Sequence, residues 1–146
     1  MLAFTNPTLA TKSLIMRSKG ASAGFYFVLP LTWTFVIIGL MLGPGAAFPS
    51  SQITGITLVV HFVVFVIWAF LADQAFYKQS QWPVLKFYRG FYVLVLGIIV
   101  VAGAEVIQGF LLWSRSAELG DYIAGILGLL GGLLIFERLV LSAKSR

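Results

Sequence analysis

The chain contains no cysteine, a single histidine, and charged side chains at only 10% of its 146 positions. Ordinary soluble domains carry about 25% charged residues, so little here can face water. Without cysteine there are no disulfides, thiolate metal sites or iron–sulfur clusters. With His61 as the lone histidine, a haem held by two histidines is excluded, whereas one axial ligand to a chlorophyll-type pigment is not. No serine–histidine–acid arrangement and no phosphate-binding loop is legible.

What is present is apolar. Hydrophobic residues make up 60% of the chain and mean hydropathy is +0.98. Four runs approach or exceed the roughly 20 residues that a helix needs to cross a hydrocarbon core: Gly24–Gly43, Thr54–Ala75, Phe91–Trp113 and Tyr122–Leu141. These runs predict an all-α, polytopic membrane protein, with residues 1–146 forming one four-helix transmembrane domain. Pro30 is expected to kink the first helix.

The basic residues suggest an orientation. Lys12, Arg17 and Lys19 precede the first run, Lys78, Lys86 and Arg89 fall in the second connection, and Arg138, Lys144 and Arg146 end the chain. If the helices alternate, those nine share one side, and Arg115 stands alone on the other. Such asymmetry places the basic side in the cytoplasm. Both termini are therefore expected to be cytoplasmic, with the first and third connections facing outward. The partners this implies are membrane lipids and no nucleic acid: Tyr77, Trp82 and Tyr88 beside lysine and arginine match an interfacial belt.

Five polar residues do not fit a plain apolar scaffold: His61, Glu105, Gln108, Arg115 and Asp121. Ionisable groups within membrane helices are costly and are functional candidates. At about 1.5 Å per residue, Glu105 lies about 12 Å inside Trp113 and His61 about 10 Å below Thr54. These similar depths predict that the two side chains meet across antiparallel helices. Asp121 equally suits the start of the fourth helix, where an acid satisfies free N–H groups. All five belong to the outer half, and no such group is expected within the inner half. His61, Glu105 and Asp121 could supply the three ligands of a zinc site. No two of them share a recognised ligand spacing, so no metal is expected. Gly125, Gly128 and Gly132 follow Asp121 on one stripe, where small residues let helix backbones approach closely.

Glu105-Val-Ile-Gln108, Arg115, and Asp121 followed by Gly128 and Gly132 resemble the signature of VanZ-like membrane proteins. That pattern is a helix with E-x-x-Q, an outward arginine, and D-x3-N-x2-G-x3-G opening the last helix, with a histidine on an earlier helix that His61 matches. The chain departs from it at Gly125, the asparagine position, at Leu58, where a lysine is common, and at Trp113-Ser114, where Pro-Gly is common. The family is named for a glycopeptide-resistance determinant favouring teicoplanin resistance. The resemblance implies a multi-pass protein of the bacterial inner membrane and supplies no established reaction.

Two functions follow as expectations. In one, an outward polar cleft binds a lipid-linked or polar envelope headgroup, with Arg115 on a phosphate or carboxylate and Glu105, Gln108 and His61 on the floor. In the other, the chain is an accessory subunit of a photosynthetic or respiratory complex, and His61 contacts pigment or only packs.

Overall fold

The computed structural model describes residues 23–42, 54–111 and 119–142. Among them the chain is helical, with no strand. Helix α1 spans Ala23–Leu42, α2 Thr54–Lys78, α3 Pro83–Phe87, α4 Arg89–Leu111 and α5 Leu119–Phe136, and a π-helical turn, Glu137–Leu141, continues α5. Gly55–Lys78, Arg89–Ile107 and Leu119–Leu141 are long and apolar enough to cross a membrane, and Gly24–Leu40 is a shorter apolar helix.

The second connection, basic and aromatic in sequence, folds as a tight turn followed by the short helix α3. Helix α2 runs on to Lys78, past the polar pair Asp73 and Gln74. Its end is fixed by Gln79, which is fully buried. The Gln79 amide Nε2 donates to the Trp82 carbonyl, and the Trp82 amide donates to Gln79 Oε1, both at 2.8 Å. That clamp closes a tight turn, and Pro83 at the first position of α3 suits a helix start because its missing N–H is not needed there. Helix α1 continues through Pro30.

Helix α2 is the centre of the bundle and touches every other helix, most extensively α5. Specific contacts give the directions. Phe27 meets Phe76, and Trp33 Nε1 donates to the Val64 carbonyl at 3.0 Å, so α1 and α2 are antiparallel. Trp68 Nε1 donates to Thr34 Oγ1 at 2.8 Å, and Thr34 Oγ1 donates back to the Pro30 carbonyl at 2.8 Å. Asp73 meets Arg89 and His61 meets Glu105, so α2 and α4 are antiparallel too. Gly120 faces Leu58, Gly128 faces Phe62 and Gly132 faces Val66, so α2 and α5 run parallel. The four long helices therefore alternate in direction. Among the described residues, Lys78, Lys86, Arg89 and Arg138 all lie at one end of the bundle.

The core gathers Ile37, Phe65, Val93, Val101, Leu129 and Phe136, all fully buried. The glycine stripe of α5 is what lets α2 approach. A Cβ on Gly128 would collide with the Phe62 carbonyl oxygen, and one on Gly132 with the Val66 carbonyl oxygen. One on Gly125 would meet Val101 at 3.0 Å and Phe65 at 3.2 Å. The outside is apolar: Phe35, Ile56, Ile99 and Leu127 are each more than half exposed.

Candidate functional site

Three of the singled-out residues converge at the end of the bundle opposite the described basic side chains. His61 comes from the second turn of α2, Glu105 from the last two turns of α4, and Asp121 from the first turn of α5. Their exposures are 3%, 7% and 5%, so all three are withdrawn from solvent despite their polarity. His61 Nε2 lies 3.2 Å from Glu105 Oε1, and His61 Nδ1 lies 3.7 Å from Asp121 Oδ1. One ligand atom from each residue falls within 4.8 Å of the other two.

The tautomer of His61 follows from its own helix. Nδ1 is 2.9 Å from the Thr57 carbonyl oxygen one turn back. A carbonyl only accepts, so Nδ1 carries the proton. Nε2 then faces the Glu105 carboxyl with either a lone pair or a second proton. Asp121 Oδ1 is buried and has no hydrogen-bond partner. Its place in the first turn of α5 suits the helix dipole, but its side chain is turned toward His61.

Gln108 belongs to α4, one turn beyond Glu105, and Arg115 lies outside the described residues. Gly125, Gly128 and Gly132 lie on the α5 face toward α2 that also carries Asp121. The objection to a metal, that the sequence spacings are unfamiliar, loses its force. The three donors come from three different helices, so no spacing motif is required. Beside the cluster, Leu58, Val59, Phe62, Ile123, Ala124 and Leu127 line an apolar groove of about 440 Å³.

One expectation is corrected. The end of the bundle that carries the described basic residues also buries an acid. Asp73, 2% exposed, pairs with Arg89 Nε at 2.8 Å. The guanidinium lies 5.8 Å from the Tyr77 ring centre and 5.5 Å from that of Phe136. In the sequence Asp73 stands near the end of an apolar run and Arg89 in the basic connection. Because α2 and α4 are antiparallel neighbours, those two positions face each other, and the pair allows α2 to extend three residues further than expected. The carbonyl that holds His61 is that of Thr57, one turn back on its own helix; a helix offers such a carbonyl at every position, so no side chain marks it, and no sequence signal marked Gln79.

Comparison with protein-family models, with curated proteins and with solved structures finds no match for this chain. Its function is therefore argued from the geometry.

Proposed function

We propose that this is a multi-pass protein of the bacterial inner membrane, similar to VanZ-like proteins, with four spanning helices and both termini cytoplasmic. In this reading the His61–Glu105–Asp121 cluster faces the outer leaflet and engages the polar headgroup of an envelope lipid. The observation that carries it is the buried convergence of those three side chains at the end of the bundle away from the basic residues.

Two features support a lipid as the ligand. The apolar groove of Leu58, Phe62 and Ile123 is lined by sequence neighbours of His61 and Asp121, so it suits the hydrocarbon part of a ligand whose polar part is held at the cluster. The exposed apolar flanks are what a lipid-facing surface requires. Two carboxylates repel a phosphate, so an anionic headgroup needs a positive partner there. Arg115 is that partner in this reading. The accessory-subunit reading with pigment on His61 receives less support, because both ring nitrogens already face groups inside the bundle.

Orientation and ligand are tested together. A cysteine replacing Ser51 or Ser116 should react with impermeant maleimide in spheroplasts, and one replacing Ser80 should not. Native mass spectrometry of the purified protein should then show a retained phosphate-bearing lipid that is lost from Arg115→Ala. The reverse labelling pattern, or lipid retention unchanged in Arg115→Ala, would overturn the proposal.

A further inference from the structure

We infer that His61, Glu105 and Asp121 form a binding site for one divalent cation of the zinc class. The proposal concerns the same cluster as the proposed function, but rests on that reading only for the cluster's access from the outer side.

Three observations carry it. The first is the histidine. Its Nδ1–H is held by the Thr57 carbonyl at 2.9 Å, which leaves Nε2 as the nitrogen facing Glu105. A metal-bound imidazole is commonly oriented by this device, its far N–H held by a backbone carbonyl. The second is Asp121. Its Oδ1 is buried without a hydrogen-bond partner, while one donor atom from each of the three residues lies within 4.8 Å of the others. A cation about 2.0–2.2 Å from each donor draws such atoms to about 3–4 Å apart. The 3.2 Å between Nε2 and Oε1 already meets this, and Asp121 Oδ1, now 3.7 Å from Nδ1, would have to turn toward Nε2 to join them.

The third is charge. The site holds two carboxylates and one imidazole, and among the described residues every lysine and arginine lies at the other end of the bundle. With both acids ionised and the imidazole neutral, a divalent cation matches the charge of these three side chains, and a matched charge is far less costly in an apolar interior than an unmatched one. The mixed nitrogen and oxygen donors favour Zn²⁺ or its neighbours Mn²⁺, Fe²⁺ and Co²⁺ over Ca²⁺ or Mg²⁺. Three protein ligands leave one position for water or a ligand oxygen. A headgroup phosphate oxygen has the chemistry to fill it.

The alternative occupant of the cluster is protons shared among the same groups. Tag-free protein in detergent, stripped with a chelator, would be titrated with Zn²⁺ alone and, separately, with Co²⁺ alone, with no lipid ligand added. The expected result is one equivalent bound with micromolar or tighter affinity, a Co²⁺ visible spectrum typical of mixed nitrogen and oxygen ligation, and affinity falling as pH is lowered, since the ligands must lose their protons. Glu105→Gln and Asp121→Asn should each weaken binding at least 10-fold while keeping the wild-type helical content and melting temperature. Failure of the wild type to bind either ion would overturn the site, and so would wild-type affinity in both variants. Lipid retention by native mass spectrometry is read in the same preparations. Metal binding without lipid retention would spare this inference and sink the headgroup reading, and the reverse would do the opposite.

Discussion

The two ends of α2 each bury an acid, and they handle it differently. Asp73 has one partner of opposite sign, Arg89, at 2.8 Å, and the guanidinium is sandwiched near Tyr77 and Phe136. One permanent positive charge meets one carboxylate, so the account closes within the protein. About 18 Å away along the same helix, at about 1.5 Å per residue, two carboxylates share one histidine at 3.2 and 3.7 Å. There the acids outnumber the base. Burial of an acid therefore does not by itself indicate a functional site; whether the chain compensates its charge does. By that criterion the Asp73–Arg89 pair is structural, and the His61 cluster is where the proposed ligand or cation would act.

The largest expected effect tests that division. Arg89→Met leaves the Asp73 carboxylate buried without its partner. Removing one member of a buried pair costs about 3–5 kcal/mol. Because the Arg89 side chain is 22% exposed, the lower end, about 3 kcal/mol, is expected. The double variant Asp73→Leu/Arg89→Met should recover most of it. Asp121→Asn, which removes charge from the uncompensated cluster, should shift stability by no more than about 1 kcal/mol. Thermal unfolding in detergent reads all three. Equal losses for Arg89→Met and Asp121→Asn would erase the distinction between the ends.

The sequence made one end legible and hid the other. His61 and Glu105 stand out because each interrupts a long apolar run, and counting helical rise from both ends brings them to one level. Asp121 was ambiguous, since an acid at a helix start needs no other explanation; its turn toward His61 depends on how α5 packs on α2. Asp73 and Arg89 were masked by their neighbours. They flank a polar, aromatic connection, where charge is ordinary, and only the antiparallel pairing of α2 with α4 makes them partners. The metal-ligand geometry had no sequence signature, because ligands on three separate helices obey no fixed spacing. The glycine stripe was legible as a contact surface, but the sequence did not say that α2 is the helix it receives.

The stripe joins the two ends, so it offers the next test. Gly128 sits where any Cβ meets the Phe62 carbonyl oxygen, one residue from His61. Gly128→Leu must push α5 from α2. Overpacking costs about 1–3 kcal/mol, occasionally more. The displacement should separate Asp121 from His61, while the Asp73–Arg89 pair, between α2 and α4, stays formed. Crosslinking between cysteines at Leu58 and Gly120 should fall in this variant, and crosslinking between cysteines at Phe76 and Tyr92 should not. Unchanged crosslinking at both places would mean that the stripe does not set the α2–α5 distance.

The smallest effect is the coupling between His61 and Glu105, and it sharpens the comparison from within the cluster. Nε2 and Oε1 lie 3.2 Å apart, a distance that a shared proton or a cation between them would bridge. In metal-free protein that bridge is a proton. Either Glu105 donates to the imidazole or the imidazolium donates to Glu105, and in both cases loss of one partner removes a polar contact from an apolar interior. His61→Ala and Glu105→Ala should therefore be non-additive, with the double variant less damaged than the sum. Interhelical hydrogen bonds in membrane proteins average about 0.6 kcal/mol and reach about 1.7 kcal/mol, so a coupling of about 1 kcal/mol is expected. The same cycle with Zn²⁺ present should show a larger coupling, because both residues then hold one ion and either single change loses most of it. Arg89 and Asp73 provide the control: their cycle should show strong coupling that Zn²⁺ leaves unchanged. Were Zn²⁺ to alter neither cycle, the two ends would be alike in kind, both closed by the chain's own charges, and the His61 cluster would be a structural lock.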